Sequence, residues 1–266
     1  MKRVGSRNAT FQQWQAYLTN RNKRHRDGRF LIHGVRPITL AVEHRWPLEV
    51  LLYRDDGRRS AWARDLLAGV QTGIAVAPEL IAELGEKDGE PPEVVAVART
   101  RDIPLRGFTP PESAVVVVFD RPASPGNLGT LIRSADAFGA AAVIVSGHGA
   151  DQYDPRCVRA STGSLFAVPV FRVSGPDEVL GWRSRHPAQI VGTDESGAAE
   201  IATHDFTGPT VLVVGNETRG LSAAWRDACD ECVHIPIGGA ASSLGAPSAG
   251  AVCLYEIDRQ RRSASP

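Results

Sequence analysis

Apolar residues fall along this chain in two rhythms. Up to about residue 100 they come in short, separated groups. Phe11, Trp14 and Leu18 recur at helical spacing, with Thr10 placed to cap that helix. Phe30-Leu31-Ile32 and Val50-Leu51-Leu52-Tyr53 predict strands on either side of a helix over 37–45. A helix over Ala61–Ala68, then Ile74-Ala75-Val76 and Val94-Val95-Ala96-Val97, completes a small alternating α/β unit. From residue 114 the apolar runs lengthen. Val115-Val116-Val117-Val118-Phe119 is apolar on both faces, as the centre of a parallel sheet requires. A helix over 128–138 follows, then Val143-Ile144-Val145, a helix over 155–161 and Val168-Pro169-Val170. Strands Gln189-Ile190-Val191-Gly192 and Val211-Leu212-Val213-Val214, a helix over Ala223–Ala228, strand Val233-His234-Ile235 and a last helix over 248–261 close the pattern. This alternation predicts an α/β fold with a parallel sheet and helices on both faces. The stretch 101–113, with Pro104, Pro110 and Pro111 in a polar setting, reads as a connection. The division is then a domain at 1–105, a linker at 106–113 and a domain at 114–266.

Charge changes this picture locally. The 30 Lys and Arg balance 30 Asp and Glu over the 266 residues, yet residues 1–36 hold nine Lys and Arg against Asp27 alone. Arg21, Lys23, Arg24, Arg26 and Arg29 form the densest part of that excess and suit a polyanion such as RNA. Phe11, Trp14 and Tyr17 beside them are either stacking platforms for bases or core residues of a solvated helix. No apolar run approaches the roughly 20 residues that span a membrane, and the basic start lacks the apolar stretch of a secretory signal, so a cytoplasmic protein is expected. Cys157, Cys229, Cys232 and Cys253 make no disulfide framework. Cys229 and Cys232 have zinc-ligand spacing without a second close pair, and His234 is expected to face away in its strand, so no metal site is expected.

Three segments put small or polar residues just past an apolar run, where open α/β sheets place ligands. In Pro125-Gly126-Asn127-Leu128-Gly129-Thr130 glycines let backbone approach a ligand at a helix N-terminus, and Arg133 follows among core-facing residues. The dinucleotide Gly-x-Gly-x-x-Gly pattern is absent. Val214-Gly215-Asn216-Glu217 ends a strand with a carboxylate that either orients a substrate or caps a helix. Gly220-Leu221-Ser222 then supplies a turn and an N-cap. The segment 235–247, from Ile235-Pro236-Ile237 through Ser242-Ser243-Leu244-Gly245, is too rich in small residues for an ordinary linker and suits backbone passing close to a flat ligand.

In that order, the three segments resemble the motifs of the SpoU-type RNA 2′-O-ribose methyltransferases. Asn127, Gly129 and Arg133 match the first motif; Gly215, Asn216, Glu217, Gly220, Leu221 and Ser222 match the second; Ile235, Pro236, Ser243 and Leu244 match the third, with Ile237 for methionine. Arg159-Ala160-Ser161-Thr162-Gly163 looks like the family's intervening segment, and residues 1–105 resemble its ribosomal-protein-like RNA-binding domain. The resemblance implies a trefoil-knotted C-terminal domain, a homodimer whose partner helps build the site, and S-adenosylmethionine held by Val214, Gly215, Asn216, Ile235, Pro236, Ile237, Ser243 and Leu244. It implies methyl transfer to a ribose 2′-hydroxyl of structured RNA, with 23S-type ribosomal RNA ahead of transfer RNA. Arg133 is then expected to act on the phosphate or the 2′-hydroxyl, Asn127 and Glu217 to position and polarise, and Ser243 to hydrogen-bond near the substrate. The chain departs from the family at Gly245 and Pro247, where asparagine and serine are usual. That departure leaves open a non-catalytic RNA-binding relative, with a base methyltransferase as a third reading.

Overall fold

The computed structural model describes residues 2–57, 59–69, 72–85 and 91–264. The chain forms two compact units: Met1–Arg101 with Tyr153–Ala167, and Asp102–Gln152 with Val168–Pro266.

The first unit begins with β1 (Lys2–Val4), α1 (Ala9–Thr19), α2 (Arg21–Asp27), β2 (Arg29–His33) and α3 (Val35–Glu43). It continues with β3 (Leu48–Arg54), α4 (Ala61–Ala68), β4 (Gly73–Val76), α5 (Pro78–Leu84) and β5 (Val94–Arg99). The strands lie in the order β1-β4-β3-β5-β2, with β5 antiparallel to both of its neighbours. Phe11, Trp14 and Tyr17 are buried in a core with Leu31, Leu52 and Ile81, so they are packing residues and not stacking platforms. Asn8, rather than Thr10, caps α1, its Oδ1 accepting the Phe11 N–H at 3.0 Å. The basic run itself folds as α2, because Asn20 accepts the Lys23 N–H and Gly28, at φ +61°, ends the helix. β1 and α5 escaped the pattern, being too short to show a period, although Pro78 at the first turn of α5 is a helix-start signal.

The second unit opens with β6 (Val115–Asp120), α6 (Pro125–Ala137) and β7 (Ala142–Ser146). Next in the chain, α7 (Pro155–Ala160) and α8 (Ser164–Ala167) belong to the first unit. The second unit resumes with β8 (Val170–Val173), α9 (Pro176–Arg183), β9 (Gln189–Thr193), β10 (Ala199–Glu200), β11 (Thr210–Val214), α10 (Ala223–Ala228), β12 (Glu231–His234) and α11 (Ala246–Ala264). All seven strands are parallel, in the order β10-β12-β9-β11-β6-β7-β8. Because side chains alternate across a strand, Val116, Val118, Val211 and Val213 share one core with Trp182 of α9 and Trp225 of α10. On the opposite face α11 packs against α6 and β11. Gly250 makes that packing possible, since a Cβ there would lie 2.5 Å from Leu131 Cδ1.

The connection at 106–113 runs against the second unit: Leu105 just before it is buried in the second core, and Phe108 packs on Phe171 and Trp182 and accepts the Trp182 indole N–H at 2.8 Å. By its contacts the segment Tyr153–Ala167, which lies within the expected domain 114–266, groups with the first unit. The Tyr153 hydroxyl accepts the Arg101 N–H at 2.8 Å and donates to the Arg101 carbonyl at 2.7 Å, and its ring lies 4.7 Å from that of Phe30. Phe166 meets Trp46 edge-on at 5.2 Å. β8 starts at Val170, one residue past Pro169, which has no N–H to give a ladder.

Candidate functional site

Parallel strands place ligands beyond their carboxyl ends, and the second unit has a cleft of about 300 Å³ there. Its floor includes Thr193, Val214 and Val233, from the carboxyl ends of β9, β11 and β12. One wall is the loop from Gly215 to Gly220; the other is the small-residue segment, through Ile235, Ile237, Ser242, Ser243, Leu244 and Gly245.

The loop after β11 is tightly specified. A Cβ on Gly215 would sit 2.5 Å from the Gly220 carbonyl carbon and 2.6 Å from the Leu221 nitrogen, so only glycine lets the loop fold back on itself. Asn216 and Gly220 exchange backbone hydrogen bonds at 2.9 and 3.1 Å. The Asn216 Oδ1 accepts the Thr218 and Arg219 N–H groups, each at 3.1 Å, as an Asx turn does. Ser222 caps α10, its Oγ accepting the Trp225 N–H at 3.4 Å.

Glu217 reaches back to the start of α6. Its carboxylate accepts the N–H groups of Ala123 at 2.8 Å and Ser124 at 3.0 Å, and the Asn127 side-chain amide at 3.1 Å. Burial pushes this carboxyl up, but those donors outweigh it and hold the group below its ordinary range. Asn127 and Glu217 are therefore brought together, with Glu217 tying the loop to the helix that carries Arg133.

Of the residues expected to hold the cofactor, Val214, Gly215, Asn216, Ile235, Ile237, Ser243 and Leu244 line the cleft, while Pro236 does not. Glu217 also lines it. Arg133 does not: its side chain is exposed on α6 and has no hydrogen bond or ion pair among the described residues. Gly245 takes φ +73°, a conformation that asparagine also tolerates, and a Cβ there would meet nothing within 4 Å. Its carbonyl accepts the Ala249 N–H at 3.0 Å at the start of α11.

Sequence reasoning missed Asp194, Glu195, Arg219 and Arg226 in the cleft. The available signal was the end of β9, since the carboxyl end of any strand in a parallel sheet borders the same edge. Asp194 accepts Arg226 Nε at 3.1 Å and Nη2 at 3.0 Å, fastening the loop after β9 to α10.

The basic stretch needs one correction. Arg24 is only 1% exposed and cannot serve an RNA surface. Its Nη1 donates to the Tyr17 carbonyl at 2.8 Å, and its Nη2 lies 3.6 Å from Asp154. A cation this deep is tolerated because the fold supplies both partners. Lys23 pairs with Asp27 at 2.8 Å, and Arg29 pairs with Glu49. Arg26 remains 72% exposed beside Asp27. Among the described residues no group of three His, Cys, Asp or Glu could hold a metal ion. Burial pushes the Cys229 thiol up to about 12, and the His234 Nδ1 lies 2.9 Å from the Gly197 carbonyl.

Comparison with known proteins agrees with this geometry. The profile of the SpoU rRNA Methylase family matches residues 114–255, and that of the SpoU L30e-like domain matches residues 8–96. A 23S rRNA (uridine(2479)-2′-O)-methyltransferase of Streptomyces viridochromogenes is 55% identical over 268 residues, covering 98% of this chain and 93% of that protein. The crystal structure of the SpoU methyltransferase AviRb from the same organism, in complex with AdoMet, superposes with a TM-score of 0.93 at 55% identity, covering 97% of this chain and 100% of that one. An AdoMet-bound rRNA methyltransferase from Sinorhizobium meliloti superposes with a TM-score of 0.87 at 30% identity, covering 100% and 99%.

Proposed function

The chain belongs to the SpoU rRNA Methylase family, and on that premise we propose that it transfers the methyl group of S-adenosylmethionine to a ribose 2′-hydroxyl of ribosomal RNA. Following the Streptomyces relative, the substrate is 23S-type RNA and the nucleotide a uridine. The observation that carries this reading is the cleft at the carboxyl ends of β9, β11 and β12, walled by two of the three motifs.

The residues present fit the cofactor. Ile235, Ile237 and Leu244 offer apolar surface for a flat base, and Gly215 keeps the loop close enough to present backbone. S-adenosylmethionine, when bound, supplies an electrophilic methyl on a positively charged sulfur. The chain's task is to align a 2′-hydroxyl with that methyl and to ease loss of its proton. A guanidinium does not serve as a base, so Arg133 acts as a clamp on the nucleotide phosphate that favours ionisation of the neighbouring hydroxyl. Asn127 and Glu217 are positioning residues for α6 and the loop, and Ser243, exposed at the cleft, meets the substrate. The altered position does not remove the site: Gly245 reaches the positive φ without strain and leaves the helix start in place.

Arg133 lies off the cleft lining of its own chain, which favours a homodimer in which the partner subunit's Arg133 completes the site. Val252 and Tyr255 of α11 are exposed, with Tyr255 edge-on to Phe138 at 6.2 Å, and form an apolar face for that contact. RNA contact by the first unit falls first to Arg21 and the exposed Arg26, because Arg24 is buried and Lys23 and Arg29 are paired with Asp27 and Glu49. No described helix is long and apolar enough to cross a membrane, and an enzyme acting on ribosomal RNA works in the cytoplasm.

Calorimetric titration with S-adenosylmethionine, with S-adenosylhomocysteine as control, tests the cleft; methylation of ribosomal RNA mapped by primer extension tests the reaction. Absence of binding by a folded dimer would overturn the reading in favour of an RNA-binding relative. Arg133→Lys keeps the charge but loses the planar fork, and is expected to cut methylation at least about tenfold. Full activity in that variant would remove Arg133 from the mechanism.

A further inference from the structure

We propose that Arg121 is a positioning residue, whose ion pair with Asp120 holds the loop 215–222 in the shape that the cofactor cleft requires. This rests on reading that cleft as the S-adenosylmethionine site.

Asp120 is the last residue of β6 and is only 2% exposed. Its carboxylate accepts three hydrogen bonds: Arg121 Nε at 3.0 Å, Arg121 Nη2 at 3.0 Å and the Ser222 backbone N–H at 2.8 Å. The same Arg121 Nη2 donates to the Gly220 carbonyl at 3.3 Å. That carbonyl also accepts the Asn216 N–H. At the other end of the residue, the Arg121 carbonyl accepts the Asn216 side-chain amide at 2.6 Å. Two adjacent residues thus grip the loop at its start, its turn and its exit.

The backbone carries a second, independent mark. Arg121 has φ +50°, an uncommon conformation for a residue with a Cβ. That turn lets its guanidinium fold back onto the carboxylate of the preceding residue. Its stem lies over Gly147, where a Cβ would come within 3.0 Å of Arg121 Cγ. Strained residues of this kind persist where the surroundings over-determine them, and they gather at functional sites. The proposed chemistry gives Arg121 no contact with substrate. Its role is to set the wall, because Gly215, Asn216, Glu217, Arg219 and Gly220 all line the cleft.

Arg121→Asn separates this role from a merely structural one, because asparagine accepts the positive φ while the guanidinium is lost. In that variant S-adenosylhomocysteine is expected to bind about tenfold more weakly. KM for S-adenosylmethionine is expected to rise with it, while kcat at saturation stays within about twofold, as when binding geometry alone is lost. Hydrogen exchange at the Gly220 and Ser222 amides is expected to speed up about tenfold, while β6 and β11 keep their protection. Arg121→Lys, with the charge but not the fork, is expected to fall between; it carries the test if the asparagine variant does not fold. Unchanged affinity together with unchanged loop exchange in either folded variant overturns the inference. Should the unsubstituted protein fail to bind S-adenosylhomocysteine, the cofactor reading fails instead, and loop exchange alone decides whether Arg121 holds the loop.

Discussion

The basic stretch 21–29 of the first unit and the small-residue segment 235–245 of the second reverse the roles their compositions suggest. The first has the charge of a binding surface, yet the fold uses much of that charge internally: Arg24 lies in the core, and Lys23 and Arg29 are paired with Asp27 and Glu49. The second has almost no side-chain chemistry, yet it walls the cleft beside the loop after β11. Charge along a sequence does not say which partner will use it. Small residues are the better signal here, because they mark where backbone must come close to something else.

The largest effect is expected where the space left by a glycine is filled. Gly215→Ala places a methyl against the backbone of Gly220 and Leu221, which must move. Cofactor affinity is expected to fall about a hundredfold or more, roughly 3 kcal/mol, measured by calorimetry. An alanine variant that binds normally would deny the cleft its dependence on close backbone packing.

Next comes the buried cation. Arg24→Met leaves the Tyr17 carbonyl without its donor and costs about 2 to 3 kcal/mol, somewhat less than the usual loss because Asp154 keeps its pairing with Arg156. Chemical denaturation measures that loss. The salt dependence of RNA binding is expected to stay unchanged, since Arg24 neutralises no phosphate; a shallower slope would return it to the RNA surface.

Glu217 makes the loop after β11 sensitive to acid. Its carboxyl is held below the ordinary value by the hydrogen bonds of Ala123, Ser124 and Asn127, despite burial. The stabilisation is thus complete above the unfolded value of about 4.3 and is lost as pH falls from there through the lower folded value. Glu217→Gln is expected to cost about 1 kcal/mol at pH 7, allowing for the group's partial exposure. The gap to the unsubstituted protein should narrow below about pH 4. A gap that stays constant on acidification would place the stabilisation elsewhere.

The smallest effect belongs to Gly245→Asn. The backbone there has positive φ and open space, so stability should shift by less than about 0.5 kcal/mol and cofactor affinity by less than about threefold. Methylation rate is the informative reading. A large rise would show that the family's asparagine adds chemistry this chain lacks.

Much of the second unit was legible because its signals are local. Runs such as Val115-Val116-Val117-Val118-Phe119 announce buried parallel strands, and Gly215, Gly220 and Ser222 announce the turn and cap found after β11. Helix edges were less legible: α6 begins at Pro125 and α11 at Ala246, each two or three residues before the periodicity becomes clear.

By itself, then, the sequence determined the parallel α/β character of the second unit, the ends of β11 and β12 that border the cleft and the motif residues that line it. Each of these depends on alternation, turn chemistry or capping within a few residues. Only the tertiary structure decided that Arg24 is buried against Asp154, that Tyr153–Ala167 packs with the first unit, that Arg133 lies off its own chain's cleft, and that Asp120 receives Ser222. Asp120 and Ser222 are 102 positions apart in the chain. They meet because β6 lies beside β11 in the sheet, and spacing along the sequence does not encode strand order.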